Sequence, residues 1–418
     1  MNGNEKHVVI VGAGFAGLFA VKKFFGRDVR VTLIDRNNYH AFNPLLYQVG
    51  AAEIEPDQIA YPLRTFIRGR KNIHFFMASV DAVKFKKNTI VTDRGEVNYD
   101  FLILAPGSSS GFFGIKGAEK NTMTLKSLDG ALFLRNHIIE MFERATRCED
   151  PEEREKCLSF VIVGGGPTGV EFAGAFAEFV SGPLRKDFAG IDTAEVRISL
   201  IDAAPGILGA YSGKSSAYAV KKLERMNIKV ILNNSVKEVK ADAIVLGGGG
   251  VIKSRTILWT AGVVGAALKS DVKLTDRRDR RVPVDQYLRP EGFDNVFICG
   301  DLALFMQQDL PLPMIAPVAT QQGINAASNI LRILKGRELK PFSYSDRGGM
   351  VTLGRNSAIT GFAGFEFRGF VAWVLWIFIH IFYLIGFRNK LLVMLSWARD
   401  YLLYERSGKM IIPSDMKK

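Results

Sequence analysis

Short runs of consecutive apolar residues alternate with segments of helical periodicity in this chain. The first run, residues 7–11, precedes a glycine-rich turn, a helical pattern over residues 18–25 and a second predicted strand over residues 29–34. Strands that are buried on both faces of a parallel sheet are continuously apolar, and helices connect them. The pattern therefore predicts an α/β fold that begins with a βαβ unit.

The same succession occurs a second time. An apolar strand pattern over residues 158–163 is followed by another glycine-rich turn, a helical pattern over residues 170–180 and a further predicted strand over residues 196–201. Residues 181–195 are predicted to form an inserted loop. The repetition predicts a second βαβ unit in the same chain.

The first glycine-rich turn has the GxGxxG spacing of a dinucleotide-binding unit. Gly12 permits the tight turn, Gly14 lets the backbone approach a pyrophosphate, and Gly17 lets the helix pack closely on the strand. Asp35 ends the second strand, where its carboxylate can accept both ribose hydroxyls. The alternative is a strand–helix turn that binds nothing, which the matching spacing to Asp35 disfavours.

The second glycine-rich turn repeats this spacing with Gly164, Gly166 and Gly169, and Asp202 ends the strand that follows. A carboxylate at Asp202 would repel a 2′-phosphate, so NADH is predicted to be preferred over NADPH. One dinucleotide does not need two units. Two dinucleotides are therefore predicted, a tightly held flavin and an exchanging nicotinamide.

Three further apolar runs are predicted strands that complete these units. Residues 99–107 and 257–263 end at small residues and fit return strands beneath a cofactor, and residues 295–301 end in Gly300-Asp301. Asp301 is predicted to bind a ribityl hydroxyl, and an ordinary strand-end cap is the alternative.

Composition excludes several classes of protein. The chain is 48% hydrophobic and 23% charged, which excludes general disorder. Three cysteines without a CxxC and five scattered histidines predict neither a disulfide scaffold nor a metal site. The apolar run at residues 8–11 is too short for a secretory signal, so an intracellular location is expected.

The net charge of +13 favours anionic partners. Nucleic acid is disfavoured, because no basic run with interleaved aromatic residues occurs outside the C-terminal region. Residues 369–387 carry no charge and approach the ~30 Å of a bilayer core, whereas residues 391–404 are amphipathic. Three alternatives remain: one spanning helix, a monotopic pair of helices on an anionic lipid surface, and a buried homodimer interface.

Four segments carry a resemblance to a known family: residues 42–49, 164–171, 259–263 and 316–323. With both glycine-rich units, they make the chain resemble the type II NADH:quinone oxidoreductases, which are flavoproteins with two dinucleotide-binding domains. The resemblance covers most of the chain. It implies a respiratory flavoenzyme that passes two electrons from NADH through non-covalent FAD to a membrane quinone without pumping ions.

The resemblance also implies a quinone site. The family pattern AQxAxQ is matched by Ala316, Ala319 and Gln321, but Pro317 replaces the first glutamine. Pro317 suits the first turn of a helix, and Gln321 lies one turn further on the same face. Its amide offers a donor and an acceptor to a quinone carbonyl. A solvent-facing role is the alternative for Gln321, and Gln322 is predicted to face solvent.

Glu171 is the second predicted catalytic residue. By resemblance it lies between nicotinamide, flavin and quinone, where a buried carboxyl with a raised pKa could relay a proton. The alternative is an acid that stabilises the N-terminus of its helix. The resemblance further favours the monotopic arrangement, on the cytoplasmic face of the cell membrane.

The full set of predicted contacts follows from the two units and the resemblance. The predicted FAD contacts are Gly12, Ala13, Gly14, Phe15, Ala16, Gly17, Asp35, Arg36, Val80, Ala105, Gly107, Asp301 and Ala319. The predicted NADH contacts are Gly164, Gly166, Pro167, Thr168, Gly169, Glu171, Asp202, Ala261 and Gly262, and the predicted quinone contacts are Ala316, Pro317 and Gln321.

Four stretches are predicted as domains. Residues 1–115 and 291–340 form the two parts of an FAD-binding domain, the second with the quinone-site helix. Residues 116–290 form the NADH-binding domain, with a Rossmann core from about residue 158. Residues 341–418 form the C-terminal membrane-associated region.

Rival functions differ in the cysteines that they need. A disulfide reductase needs two cysteines soon after the first unit, and none precedes Cys148. A sulfide:quinone oxidoreductase also needs paired redox cysteines near the flavin, which this spacing disfavours. A redox-sensing flavoprotein with slow turnover remains the alternative from another class.

Overall fold

The structure, a computed structural model, describes residues 5–362, 364–406 and 408–412. The chain divides into two compact units. Unit 1 consists of the residues up to 40 together with residues 61–111 and 263–346. Unit 2 consists of residues 41–60 and 112–262 and the residues from 347 onward.

The bounds of the strands and helices define the elements used below. The strands are β1 (His7–Val11), β2 (Arg30–Asp35), β3 (Tyr39–Ala41), β4 (Ala60–Pro62), β5 (Ile73–Met77), β6 (Val80–Lys84), β7 (Thr89–Thr92), β8 (Gly95–Asn98), β9 (Phe101–Leu104), β10 (Ser108–Ser110), β11 (Met123–Thr124), β12 (Ser159–Val163), β13 (Arg197–Ile201), β14 (Ile228–Ile231), β15 (Val236–Val239), β16 (Ala243–Leu246), β17 (Val251–Lys253), β18 (Thr256–Trp259), β19 (Val263–Gly265), β20 (Lys269–Ser270), β21 (Val282–Pro283), β22 (Val296–Ile298), β23 (Ala303–Leu304), β24 (Met306–Gln307), β25 (Leu310–Pro311), β26 (Gly349–Thr352), β27 (Ala358–Phe362) and β28 (Phe365–Gly369). The helices are α1 (Phe15–Lys23), α2 (Leu46–Gly50), α3 (Pro56–Ile59), α4 (Leu63–Phe66), α5 (Ala118–Asn121), α6 (Leu128–Arg147), α7 (Pro151–Cys157), α8 (Pro167–Phe179), α9 (Arg185–Asp187), α10 (Gly213–Glu224), α11 (Ala316–Ile333), α12 (Phe370–Tyr383) and α13 (Phe387–Leu403).

Unit 1 is built on a five-stranded parallel sheet in the order β22-β9-β1-β2-β5. All residues of β9 and β22 are buried, as the continuous apolar runs predicted. The register pairs Val11 of β1 with Ile34 of β2, so the glycine-rich turn and Asp35 follow at the same edge of the sheet. A second sheet, β20-β6-β7-β8, belongs to the same unit.

Unit 2 contains an equivalent parallel sheet in the order β11-β18-β12-β13-β14. Val163 of β12 pairs with Ile201 of β13, which brings the second glycine-rich turn and Asp202 to one edge of this sheet. An antiparallel sheet, β15-β16-β17, packs with it through a shared apolar cluster. The two parallel sheets confirm the predicted α/β class and both βαβ units.

The predicted loop over residues 181–195 is wrong, because most of this segment is helical. A π-helical turn, Val180–Leu184, continues α8 directly, and α9 and a 3-10 turn, Thr193–Glu195, follow. Val180, Pro183 and Leu184 are buried, so packing favours helical structure there. Pro183 has no N–H to donate, which interrupts the regular α-helical hydrogen bonds.

The uncharged run at residues 369–387 does not form one helix. It supplies α12 and the start of α13, which are separated at residues 384–386. Gly369 and Gly386 precede the two helices with φ of 85° and 86°, a left-handed conformation that favours glycine. In the part of the chain that the structure describes, no helix combines the length and apolarity needed to cross a membrane.

Candidate functional site

The glycine-rich turn of unit 1 leaves open space only at its middle glycine. Gly12 has φ of 95°, and a Cβ there would lie 2.1 Å from the Ala105 carbonyl oxygen. A Cβ at Gly17 would lie 1.8 Å from the Gly12 carbonyl oxygen. At Gly14 a Cβ would meet no atom within 4 Å. The outer glycines are therefore required by packing, and the middle glycine faces a free cradle.

Helix α1 begins at this cradle. Its N-cap is Gly14, and no side chain caps the first turn. Free N–H groups and the helix dipole make such an N-terminus a site for phosphate. The cradle and the uncapped helix fit the pyrophosphate of a dinucleotide, as the sequence pattern predicted.

Asp35 is bound to the glycine-rich turn. Its two carboxylate oxygens accept hydrogen bonds from the N–H groups of Ala13 at 2.6 Å and Asn37 at 2.8 Å. Burial raises the pKa of Asp35, and these two N–H groups oppose the rise. Each carboxylate oxygen has a further lone pair, so Asp35 can hold the turn and still accept a ribose hydroxyl.

His40 supports the same turn, a role that the sequence did not predict. Its Nδ1–H donates to the Ala13 carbonyl oxygen at 2.8 Å, and its ring packs against the edge of Phe15. Burial lowers the pKa of His40, which favours the neutral ring. A single histidine gives no signal of this contact in the sequence.

Three other parts of unit 1 meet beside α1. Asp301 lies in a 3-10 turn after β22 and accepts a hydrogen bond from Ser108 Oγ at 2.5 Å. A Cβ at Gly300 would lie 3.5 Å from the Cβ atoms of both Ala16 and Ala319. The structure therefore brings together the predicted FAD residues of the glycine-rich turn, of the turn after β22 and of α11.

Helix α11 carries the predicted quinone segment, and one prediction about it is wrong. Gln322 does not face solvent: it is 1% exposed, and its Oε1 accepts the Gly300 N–H at 2.7 Å. It shares the inward face of α11 with Gly323, where a Cβ would lie 2.0 Å from the Ala16 carbonyl oxygen. This close contact between α11 and α1 decides which face of α11 is buried.

Gln321 lies on a more accessible face of α11, one turn beyond Pro317. Its Nε2 donates to the Ser345 carbonyl at 2.9 Å, and its Oε1 accepts the Ser345 N–H at 3.0 Å. Ala316 and Pro317 are partly buried in the first turn of α11. A quinone that used the Gln321 amide would replace its bonds to Ser345.

The glycine-rich turn of unit 2 repeats the geometry of unit 1. Gly164 has φ of 112°, and a Cβ at Gly169 would lie 2.0 Å from the Gly164 carbonyl oxygen. Gly166 again faces open space and begins an uncapped helix, α8. Asp202 accepts the Gly165 N–H at 2.6 Å and the Ala204 N–H at 2.7 Å. Unit 2 therefore offers a second cradle of the same kind.

The remaining predicted contact residues lie in other parts of the two units or beside the glycine-rich turns. Arg36 is exposed directly after Asp35, and Val80 begins β6 against the core of unit 1. Gly107 follows β9, and Pro167 and Thr168 are exposed in the first turn of α8. The predicted NADH contacts Ala261 and Gly262 form the turn after β18, beside the second glycine-rich turn.

Glu171 lies on α8 in the second helical turn and is only 9% exposed. Its Oε1 accepts the Thr352 N–H at 3.2 Å. Burial raises the pKa of the Glu171 carboxyl to about 8, so it holds a proton at neutral pH. A protonated, buried carboxyl can donate a proton, which is the property that the predicted relay needs.

Next to Glu171, unit 2 contains polar side chains that the sequence reading did not single out. The Tyr47 hydroxyl lies 2.9 Å from Thr352 Oγ1, and Gln48 Nε2 donates to it at 3.3 Å. Trp397 Nε1 donates to Gln48 Oε1 at 2.8 Å. Tyr47 and Gln48 were noted only as part of a family motif, and only the fold places them beside Glu171.

Comparison with known proteins gives a consistent result. A family model described as pyridine nucleotide-disulphide oxidoreductase matches residues 6–323. The chain is 37% identical over 414 residues to the type II NADH:quinone oxidoreductase Ndh of Mycobacterium tuberculosis, covering 96% of this chain and 89% of that protein. It is 35% identical over 432 residues to the type II NADH:quinone oxidoreductase NdhA of the same organism, covering 99% and 91%.

A solved structure has a similar fold. NDH2 from Plasmodium falciparum in complex with NADH matches with a TM-score of 0.90, covering 98% of this chain and 100% of that chain. The two sequences are 18% identical, so this match is a likeness of fold.

Proposed function

We propose that the two units of this chain bind different nucleotides. The chain belongs to the pyridine nucleotide-disulphide oxidoreductases and, among them, to the type II NADH:quinone oxidoreductases. It is a flavoenzyme that transfers electrons from NADH to quinone. Unit 1 holds FAD, tightly and non-covalently, and unit 2 binds NADH. Residues 1–115 and 291–340 supply most FAD contacts, and residues 116–290 supply the NADH contacts.

The duplicated cradle is the observation that carries this assignment. Each unit has a glycine-rich turn with an open middle position, an uncapped helix N-terminus and a carboxylate bound to the turn. Only unit 1 adds the turn at Asp301 and the N-terminus of α11. These additions suit the longer, permanently bound FAD, whose flavin accepts hydride from NADH and gives two electrons to quinone.

The residues of this chain bind and orient the reactants in this scheme. Asp35 and Asp202 hold the ribose hydroxyls, and Asp301 holds the ribityl chain. The N-terminus of α11 stabilises negative charge on the reduced flavin ring. Gln321, with Ala316 and Pro317, contacts the quinone, and Glu171 supplies a proton to it.

Spectroscopy of the purified protein tests this function. We expect it to contain flavin, whose absorbance NADH bleaches, and to oxidise NADH faster when menadione is added. NADPH is expected to act more slowly, because of Asp202. Absence of flavin, or failure of NADH to bleach it, contradicts the proposal. Slow turnover with complete bleaching would instead favour a redox-sensing flavoprotein.

The proposed quinone site predicts different effects on the two half-reactions, which are flavin reduction by NADH and flavin reoxidation by quinone. Gln321→Ala is expected to slow reoxidation of the reduced flavin by menadione, while NADH still reduces the flavin at near-normal rate in stopped flow. Gln322→Ala is a matched comparison, since its amide binds Gly300 in the packed face of α11. It is expected to impair flavin retention rather than reoxidation. Equal damage to both half-reactions in Gln321→Ala contradicts the quinone assignment.

We also propose that the C-terminal region lies on an anionic lipid surface at the cytoplasmic face of the cell membrane, without spanning it. Several large apolar side chains of α12 and α13 are exposed: Phe370, Val371, Leu375, Phe378, Phe382, Phe387, Leu391, Leu395 and Leu402. Arg388 and Lys390 lie in the first turn of α13 and can contact lipid phosphates. Exposed large apolar side chains that are concentrated in one segment of the chain mark an interaction surface.

Vesicle binding distinguishes this proposal from a homodimer interface. The double substitution Phe378→Glu with Phe382→Glu is expected to release the protein from anionic vesicles, because both side chains are about 70% exposed. Phe113→Glu, at 71% exposure elsewhere in unit 2, is the control and should bind vesicles normally. If the double variant still binds vesicles but changes from dimer to monomer, the patch is a dimer interface.

A further inference from the structure

Unit 2 contains a cavity of about 400 Å³ behind Tyr47. Tryptophan rings, including Trp376 and Trp397, form its apolar walls, and Tyr47, Gln48 and Glu53 contribute polar groups. A water molecule occupies about 30 Å³ of liquid, and it needs polar partners to stay in a cavity. The cavity therefore has room for water, and its polar groups are where water can find hydrogen-bond partners.

Four buried or nearly buried charged side chains line this cavity, and a fifth, Arg406, contacts three of them. We name the five the charge cluster: Glu53, Glu178, Arg355, Asp400 and Arg406. Arg406 contacts Glu53 at 2.9 Å, Asp400 at 3.4 Å and Glu178 at 3.8 Å. Arg355 contacts Asp400 at 2.8 Å and Glu178 at 3.8 Å.

The charge cluster has one more acid than it has bases. Three carboxyls face two guanidiniums, and an uncompensated buried charge is costly. The cluster is neutral when it holds one proton. Arginine stays charged in proteins, so that proton resides on a carboxyl.

Tyr47 joins the cavity to Glu171. Its hydroxyl lines the cavity and lies 2.9 Å from Thr352 Oγ1, and the N–H of Thr352 donates to Glu171. Tyr47 is close enough to both Glu171 and Glu53 that their charges raise its pKa, after burial, which is the larger cause. A hydroxyl that both donates and accepts can pass a proton between two acids.

The overall reaction consumes a proton. NADH, quinone and one proton from water give NAD⁺ and quinol: hydride carries two electrons and one hydrogen nucleus, and the second oxygen of the quinone needs another proton. When the O–H bond of Glu171 breaks to protonate a quinone oxygen, the Glu171 carboxylate must recover a proton. The Thr352 N–H donates a hydrogen bond to Glu171, and a backbone N–H does not supply that proton.

We propose that the charge cluster is the proton store that recharges Glu171, with Glu53 as the donor and Tyr47 and cavity water as the path. The inference rests on the proposed quinone reduction. In each turnover the Glu53 carboxyl loses its proton towards Tyr47, Glu171 regains one, and Glu53 is reprotonated from solvent. Glu178 and Asp400 keep 18% and 12% exposure, which gives the cluster its contact with water.

The pKa values of these carboxyl groups are consistent with the storage of a proton. Burial raises the pKa of Glu53 to about 8, although the Arg406 and Arg355 guanidiniums lower it, and Asp400 and Glu178 raise it further. Burial also raises the pKa of Glu178, with Arg406 and Arg355 again opposing the rise. Glu53 and Glu171 have matched acidities near pH 8, which permits transfer in both directions.

The test uses the holoenzyme with Glu53→Gln and, as a second variant, Tyr47→Phe. We expect menadione to reoxidise NADH-reduced flavin about tenfold more slowly in both, less than the ~100-fold of a direct acid. The ratio of wild-type to variant rates should shrink above pH about 8, where the store is empty. Reduction of the flavin by NADH should stay unchanged. Infrared spectra of wild type should show stronger protonated-carboxyl absorption than those of Glu53→Gln, which keeps only the contribution of Glu171 and other acids.

Glu55→Gln is the matched control, because Glu55 pairs with the buried Arg135 at 2.9 Å two residues beyond Glu53 and lies outside the cavity. It should keep the wild-type reoxidation rate, pH profile and infrared band. An unchanged pH profile in both Glu53→Gln and Tyr47→Phe overturns the store, as does an equal effect in Glu55→Gln. If Glu53→Gln does not fold, Tyr47→Phe alone decides. Wild-type protein that cannot pass electrons from NADH to menadione would contradict the proposed function instead.

Discussion

The two units have nearly the same nucleotide cradle but differ in what packs against the helix that follows it. In unit 1, α1 packs against α11 through small residues, with Gly323 against the backbone of Ala16. In unit 2, α8 buries two acids, Glu171 and Glu178, which contact the turn after β26 and Arg406. One unit thus has an apolar close contact where the other has buried charge.

This difference indicates that different parts of the sequence determine the cradle and the residues that surround its helix. The cradle is a local structure, because a few glycines and one acid within a single βαβ unit determine it. The surroundings of the helix consist of distant segments. The buried side chains of unit 2 give α8 titratable groups that α1 lacks, and proton chemistry can use them.

The largest expected effect is the loss of stability when a buried charge of unit 2 is removed, compared with the removal of a surface charge. Arg406→Ala removes the cation that pairs with Glu53 and leaves Glu178 with Arg355 alone, so it should lower the free energy of unfolding of unit 2 by about 3–5 kcal/mol. All four tryptophans, Trp259, Trp373, Trp376 and Trp397, belong to unit 2, so tryptophan fluorescence in a denaturant titration reports that unit.

Lys409→Ala provides the control for Arg406→Ala. Lys409 lies in the same C-terminal segment, but its pair with Asp187 is more than a third exposed on both sides. Its removal should cost at most about 1 kcal/mol. A similar small loss for Arg406→Ala would mean that the charge cluster contributes little to unit 2, and the contrast between the units would be weaker than the structure indicates.

Substitution of the two equivalent acids tests whether equal cradles bind different nucleotides. Asp202→Asn is expected to raise the apparent KM for NADH about 10- to 150-fold, since a charged hydrogen bond contributes roughly 1.5–3 kcal/mol, and to weaken the discrimination against NADPH. Flavin content should not change. Asp35→Asn should instead lower the flavin content of the purified protein while the fluorescence of unit 2 stays normal.

Steady-state kinetics and the ratio of flavin to protein absorbance measure these two outcomes. Loss of flavin in Asp202→Asn, or a changed NADH KM with full flavin in Asp35→Asn, would reverse the assignment of the units. An unchanged ratio of NADH to NADPH activity in Asp202→Asn would assign the selectivity to other residues.

The last expected effect is a pH dependence of the stability of unit 2. The pKa values of Glu171 and Glu53 are raised from 4.5 to about 8 in the folded chain, so the folded state binds these protons more tightly. Stability is therefore lost as pH rises towards 8. Burial lowers the pKa of His380 from 6.5 to about 4, which has the opposite effect, but only below pH 6.5.

Between pH 6.5 and about 8, each acid can thus remove up to about 1.4 kcal/mol per pH unit from the stability of unit 2. Glu171→Gln should make the decline less steep, as measured by tryptophan fluorescence in denaturant at several pH values. Glu366→Gln is a suitable comparison, because the Glu366 pKa is lowered and its titration ends at acid pH. Equal slopes in wild type and Glu171→Gln would mean that Glu171 is ionised throughout.

The apolar periods and glycine spacings predicted the two parallel sheets, both cradles and the positions of Asp35 and Asp202. They also predicted that α11 begins near Pro317. They failed where helix faces depend on a partner: Gln322 is buried because α1 lies against it, and residues 181–195 are helical because Val180 and Leu184 pack inward. Helical periodicity identifies two candidate faces but not the element that covers them.

By itself the sequence determined the two nucleotide-binding units, because strand, turn, helix and acid are all neighbours within one βαβ unit. Only the tertiary structure decided the charge cluster. Glu53 and Arg406 lie 353 residues apart along the chain, and residues 41–60 belong to unit 2 although they follow the first cradle directly. A charged side chain is stable in a protein interior only beside a partner of opposite charge, and no local pattern of the sequence specifies which distant residue that partner is.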